Sequence, residues 1–304
     1  MRLFALAIHV LEKMQAYREI LDLPIKAYLK TKGKFRDYSA LDSNDSHQRS
    51  DSENLEYSNY VERVSSNPHG LANFRRPYVY RQILEHVNWK FGRLYLERFV
   101  DLGGDPKEIN RVAAHDDVGN PRKYFYSEYG WLNPTQIRYL SVKQELANLF
   151  DMESIDTVGE IGCGFGGQYV TLARSYELKE YHFYDLAAVQ RIIKFYLSNF
   201  TLRTTSIFPS IKSITPKSFD LVISNYAFSE LPKSVQLEYI EKILFNSKRG
   251  YMIMNSGKSN ETARGDGKMS LVEIREHLPW IKTTLEIPLT GPDNYVIYWD
   301  RSKR

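Results

Sequence analysis

The residues best placed to do chemistry are two acids and a cluster of glycines. In "VGEIGCGFGGQY", Val158 to Tyr169, Gly162, Gly164, Gly166 and Gly167 follow a β-branched lead-in, and Glu160 stands two positions before the first of them. So bare a turn between a strand and a helix lets a ligand come close to the main chain, as nucleotide-binding turns do. A second acid, Asp185, closes the next strand-like run, "YHFYDL". An acid at that place can accept hydrogen bonds from both hydroxyls of an adenosine ribose. Glu160 would repel a pyrophosphate and suits an ammonium, so the pair favours a positively charged adenosyl cofactor over a dinucleotide. The bland alternative is a tight turn and nothing more, with Glu160 a solvated edge residue.

For these residues to converge they must sit at the tips of neighbouring strands. From Ile155 onward, "IDTVGEI", "YHFYDL", "TTSIF", "FDLVISN" and "GYMIMNS" alternate with amphipathic stretches such as "AAVQRIIKFYLSNF", "PKSVQLEYIEKILFN" and "SLVEIREHL". That alternation predicts a parallel sheet with right-handed crossovers. The closing runs, "KTTLEIPL" and "NYVIYWD", flank the turn composition "TGPD" and predict a hairpin that puts an antiparallel strand at the end. Ahead of the sheet, "NPTQIRYLSVKQELANLF" predicts a helix capped by Asn133, with Pro134 first and Ile137, Leu140, Leu146 and Phe150 near one face.

The preceding half reads differently. "YVYRQILEHVNWKFGRLYLERFV" has one continuous helical pattern, residues 101–130 are studded with Gly, Pro and Asp and read as irregular, and residues 41–59 form a polar loop or lid. We therefore expect residues 1–130 to be a mostly helical substrate-recognition or lid region and residues 131–304 the cofactor-binding domain. Aromatic stretches "NWKFGRLYLERF" and "YFYSEYGW" read as core before sugar-stacking platforms, and Arg75, Arg76 and Arg122 as solvated before diphosphate-binding.

With 304 residues, 42% apolar and 26% charged, the chain has the composition of a globular protein. The formal charge of +4 and the lack of any Lys/Arg run argue against a nucleic-acid partner. A single cysteine, Cys163, excludes an intramolecular disulfide and suits a reducing, cytoplasmic setting. The opening "MRLFALAIHVLEKM" is too short to span a bilayer and runs on at helical spacing, so an amphipathic helix is expected there rather than a signal or anchor. Oligomeric state is not legible.

"EIGCGFGG", Asp185, "FDLVISNYAFSEL" and the terminal hairpin resemble the class I S-adenosylmethionine-dependent methyltransferases over Ile155 to Asp300. The resemblance implies an α/β, Rossmann-like, seven-stranded mixed sheet with the last strand antiparallel, helices on both faces and S-adenosyl-L-methionine as cofactor. More narrowly, "VGNP", "LNPTQIRYL" and "SNYAFSEL" are similar to the sugar O-methyltransferase family of bacterial glycan biosynthesis. That implies methyl transfer to a hydroxyl of a sugar, nucleotide sugar or glycan precursor. Carried over by position, Glu160, Gly162, Cys163, Gly164 and Gly166 would wall the methionine part, with Cys163 a small buried filler. Asp185 would hold the ribose, Leu186 would pack on the adenine, and Asn225 and Tyr226 would flank the transferring methyl. "SIFPSIK" lacks the Asp or Asn that often holds the adenine amino group, which leaves Ser206 or backbone groups for that contact. Other readings kept open are a methyltransferase for another small molecule or a macromolecule, and a non-catalytic cofactor-binding subunit.

Sugar hydroxyls are poor nucleophiles, so a base is wanted. Candidates are His115 and Asp117 of "HDD" and Glu230 of "AFSEL", each weighed against a bracing or helix-capping role; His277 reads as structural. Asp116 completes an oxygen-rich trio with His115 and Asp117, but three adjacent residues rarely all point at one ion, so no metal is expected.

Overall fold

The computed structural model describes residues 10, 14–15, 55–113, 117–255, 267–291 and 294–302. His115, Asp116 and the opening amphipathic run, apart from Val10 and Met14, lie outside them, as does most of the predicted loop at 41–59. Residues 55–59 of that loop are helical instead and open α1, Leu55–Ser65. Its turns bury Tyr57, Tyr60, Val61 and Val64, apolar side chains that the polar residues before them masked.

After α1 come α2, Pro68–Ala72, and α3, Tyr78–Ile83. The expected continuous helix from Tyr78 to Val100 is broken: α4, Trp89–Asp101, begins anew because the Asn88 side chain accepts from the Phe91 N–H at 2.9 Å. The stretch read as irregular contains α5, Pro106–Ala113, and an antiparallel hairpin of β1, Tyr124–Tyr126, and β2, Gly130–Leu132. In α5 the Gly-Asp-Pro sequence is a helix start, with Asp105 accepting from the Lys107 N–H at 2.9 Å and proline in the first turn.

Helix α6, Pro134–Leu149, starts as predicted, with the Asn133 side chain bonded to the Gln136 N–H at 3.0 Å. It is not one-faced, however. Residues 134–143 are all buried, Arg138 and Lys143 included, because α4 covers one side and α7 the other.

The sheet follows: β3, Thr157–Ile161; α7, Gly167–Ala173; β4, Glu180–Tyr184; α8, Ala187–Leu197; β5, Thr205–Ile207. Then come β6, Leu221–Asn225; α9, Ala227–Glu230; α10, Lys233–Tyr239, running into a π-helical turn at Ile240–Leu244; and β7, Arg249–Met254. Last are α11, Leu271–His277; β8, Lys282–Leu285; and β9, Tyr295–Asp300. The seven strands lie in the order β5-β4-β3-β6-β7-β9-β8. Only β9 runs against its neighbours, pairing antiparallel with β7 and β8. This is the α/β, Rossmann-like mixed sheet expected from the sequence, with helices on both faces and a helical region before it.

Strand order reverses between β3 and β6, and the carboxyl ends of strands at such a point form a crevice. One apolar cluster joins Phe165, Tyr169 and Ile193 on one face of the sheet to Tyr57 and Tyr60 of α1, Tyr80 of α3 and Phe74 in the turn before it. The opposite face is filled by Phe219, Phe228, Ile243, Ile274 and Trp299. The N-terminal helices thus share a core with the turn that follows β3.

Candidate functional site

Three strand tips meet at the crevice: Glu160–Gly162 from β3, Asp185 from β4, and Asn225–Tyr226 from β6. The turn after β3 needs glycine for geometric reasons. Gly162 has φ +74, and a Cβ there would fall 2.0 Å from the Ala227 Cβ; Gly164 has φ +57. Both conformations are ones that L side chains rarely adopt. Gly166, at φ +88, forms the N-cap of α7.

Asp185 fastens this turn. Its Oδ2 accepts from the Cys163 N–H at 2.7 Å and its Oδ1 from the Leu186 N–H at 2.8 Å. Burial outweighs these bonds and pushes its pKa up to about 6. Glu160 is 1% exposed and accepts from the Tyr181 hydroxyl at 2.8 Å. Burial pushes its pKa up to about 8, and the nearby Asp185 charge adds to the rise. The two acids are therefore close enough to interact electrostatically, and Glu160 is no solvated edge residue.

Cys163 is 2% exposed, its Sγ donates to the Glu160 carbonyl at 3.1 Å, and burial drives its pKa up. A thiol so placed is an inert filler. Leu186 is half-buried, caps α8 and packs on the shared core. Ser206 lies on edge strand β5 with its hydroxyl 3.5 Å from that of Tyr169.

Asn225 donates from Nδ2 to Gln168 Oε1 at 3.4 Å, while its buried Oδ1 meets no donor among the described residues. Tyr226 follows at φ +73, a strained conformation for a tyrosine, and its N–H is held by the Ile253 carbonyl at 2.8 Å. Its hydroxyl donates to Glu286, a buried acid that also takes the Thr290 hydroxyl at 2.7 Å and Asn294 Nδ2 at 2.9 Å. Sequence reasoning missed this polar group, since nothing local ties residues 286–294 to β6.

Glu230 ends α9 and accepts from Asn255 Nδ2 at 2.6 Å. It does not cap α10, whose N-cap, Pro232, makes no side-chain bond. Tyr57, 2% exposed, lies within electrostatic reach of both Asp185 and Glu230, which brings a phenol from α1 near the strand tips. The aromatic spacing of α1 was the signal for it, hidden inside a polar stretch. Asp117 is 82% exposed at its side chain and pairs with Lys123 at 2.7 Å. His277 is exposed at the end of α11.

The expectation of solvated arginines fails at Arg75. It is fully buried, pairs with Glu85, donates to the Val118 carbonyl at 3.3 Å and lies 4.2 Å over the Phe165 ring in the glycine turn. Among the described residues no helix is long and apolar enough to cross a membrane.

No family model matches the chain, and no curated protein matches it. Among solved structures it is similar to TehB from Haemophilus influenzae, at 12% identity over 52% of this chain, with a TM-score of 0.40; the match spans 62% of TehB, less than two thirds of it. It is also similar to magnesium protoporphyrin IX methyltransferase (ChlM) from Synechocystis PCC 6803 with bound SAM, at 14% identity over 55% of this chain and 79% of that one, TM-score 0.40. A third is a SAM dependent methyltransferase from Aquifex aeolicus, at 18% identity over 51% and 87%, TM-score 0.37. Likeness of this degree carries no functional argument, which rests instead on the residues of the crevice.

Proposed function

We propose that the chain binds S-adenosyl-L-methionine at the tips of β3, β4 and β6 and transfers its methyl group to a hydroxyl of a sugar, nucleotide sugar or glycan precursor. The observation that carries the cofactor is the pairing of a buried acid, Glu160, with a half-buried one, Asp185, around a glycine turn, with a buried acceptor at the next strand tip, Asn225 Oδ1, left unmatched among the described residues. The ammonium of an amino-acid tail satisfies such acceptors, whereas a pyrophosphate would face Glu160. When bound, the cofactor supplies an electrophilic methyl, and the protein's task is alignment and proton removal. Asp185 presents its remaining lone pairs to the ribose, and Leu186 offers an apolar surface to the adenine. Tyr226 and Asn225 shape the space where the acceptor oxygen must come.

Calorimetric titration with S-adenosylhomocysteine and with NAD tests this reading; binding of NAD but not of the adenosyl compound overturns it. Asp185→Ala is expected to weaken adenosyl binding by about 1.5–3 kcal/mol, the range for a hydrogen bond to a charged group. Unchanged affinity removes the ribose role.

Glu230 is the favoured base, because it is half-buried, takes a hydrogen bond from Asn255 and stands near the tip of β6, whereas Asp117 is exposed and paired. Glu230→Gln is expected to lower turnover by about 10²-fold or more while sparing cofactor affinity. Full activity in that variant would dismiss Glu230. The sugar hydroxyl as acceptor rests on the sequence resemblance; labelled S-adenosylmethionine offered with fractionated nucleotide sugars and lipid-linked glycans identifies the fraction that gains the methyl.

A further inference from the structure

Between α3 and α4 the chain runs Glu85-His86-Val87-Asn88. Glu85 is 7% and Val87 5% exposed: the first pairs with Arg75, and the second belongs to the apolar cluster of Tyr95, Phe99 and Leu132. Asn88 then caps α4. His86 stands between these anchors and is exposed, so an imidazole is held at the surface by a loop pinned on both sides. Its ring makes an edge contact with Tyr226, the centroids 6.0 Å apart and the planes at 71°.

Tyr226, at the tip of β6, is fixed from several directions. Its hydroxyl donates to Glu286 and lies 3.5 Å from that of Tyr95, and the Arg138 guanidinium is 5.5 Å from its ring centroid. Glu286, Tyr95 and Arg138 are 3%, 3% and 5% exposed. Of these four neighbours only His86 opens to solvent, and an acceptor has to arrive from solvent. The Tyr226 hydroxyl itself is committed to Glu286, and burial drives its pKa up, so it keeps its proton through the neutral range. A neutral imidazole, in contrast, offers one donor and one acceptor nitrogen to hydroxyl groups.

We propose that His86 is an acceptor-binding residue that borders the transferring methyl and holds one hydroxyl of a polyhydroxy acceptor while a second hydroxyl is methylated. This rests on the reading of the crevice as an S-adenosylmethionine site. Glu230 takes the proton of the reacting hydroxyl, and His86 fixes the rest of the acceptor beside Tyr226. A lone hydroxyl would leave the imidazole nothing to hold, so the arrangement favours a sugar-like polyol.

The sulfonium of S-adenosylmethionine carries a positive charge that S-adenosylhomocysteine lacks, and a like charge nearby disfavours imidazolium. Full-length protein labelled in its histidines is titrated with acid and base in each complex and followed by NMR, the His86 signal being the one missing from His86→Ala and His86→Gln. His86 is expected to titrate at least about 0.3 pH unit lower with S-adenosylmethionine than with S-adenosylhomocysteine. With the acceptor fraction found by methyl labelling, His86→Ala is expected to raise the acceptor KM about tenfold, the size of one lost hydrogen bond. His86→Gln, whose amide reaches toward the same hydroxyl, is expected to recover part of that loss, and the KM for S-adenosylmethionine to stay within about twofold in both variants. Identical titration of His86 in the two complexes overturns the assignment, as does an acceptor KM that His86→Ala leaves unchanged. If calorimetry shows that neither adenosyl compound binds, the cofactor reading has failed and this assignment falls with it; binding of both with no difference at His86 strikes the assignment alone.

Discussion

Arg75→Gln is expected to lower the free energy of unfolding by about 3–5 kcal/mol, the range for removing one partner of a buried ion pair. The side chains of Arg75 and Glu85 are 0% and 2% exposed, and Asn133 Nδ2 also approaches Glu85, at 3.4 Å. Removing the guanidinium leaves a carboxylate that water cannot reach, and it also removes the cation stacked on Phe165. Urea denaturation measures the effect. The double replacement Arg75→Met with Glu85→Leu is expected to recover most of the loss, since apolar residues of similar volume need no counter-charge. A cost below about 1 kcal/mol, typical of exposed pairs, would mean that water enters the pair.

Stability is expected to fall as pH rises from about 6 to about 8, and Glu160 is the cause. Unfolded, its carboxyl loses its proton near the ordinary value of 4.5; folded, it holds the proton to about 8. Between those values the unfolded state binds fewer protons, so each step up in pH favours unfolding, and the trend levels off above 8. Asp185 acts in the same direction, but only between 3.8 and about 6. His182, whose pKa burial lowers from 6.5, works the other way at the acid edge of this interval, so the stretch from about 6.5 to 8 reports Glu160 and corresponds to roughly 2 kcal/mol at about 1.4 kcal/mol per pH unit. Glu160→Gln, which keeps an acceptor for the Tyr181 hydroxyl, is expected to flatten the profile there and leave the slope below pH 6. A thermal-melting series across that range decides it; an unchanged slope in the variant assigns the titration elsewhere. At pH 7 the proposed cofactor's ammonium, arriving beside Glu160, is expected to expel a proton, seen as a binding enthalpy that depends on the buffer.

The sheet and its tips were legible because their signals are local. A glycine that must adopt positive φ, an acid at a strand end and a proline after an asparagine cap each announce themselves within a few residues. The helical region was less legible. Asp105 and Pro106 look like loop punctuation until the helix they initiate is seen, and Asn88 hides its capping role inside an unbroken apolar rhythm. What could not be read at all is long-range. Tyr181 reaches Glu160 because β4 lies beside β3 in the register Glu160↔Phe183, which places the two side chains on one face. Likewise, Arg138 and Lys143 look like the solvated side of an amphipathic helix, and only the packing of α6 between α4 and α7 buries them.

Strand β9 bears on how the sheet comes together during synthesis. β8 has no partner in the sheet but β9, so until residues 295–300 have left the ribosome and docked, β7 presents an unsatisfied row of amides and carbonyls along one edge. A nascent chain short of them has an open margin in an otherwise assembled parallel sheet, which makes that point in translation one where a chaperone is needed.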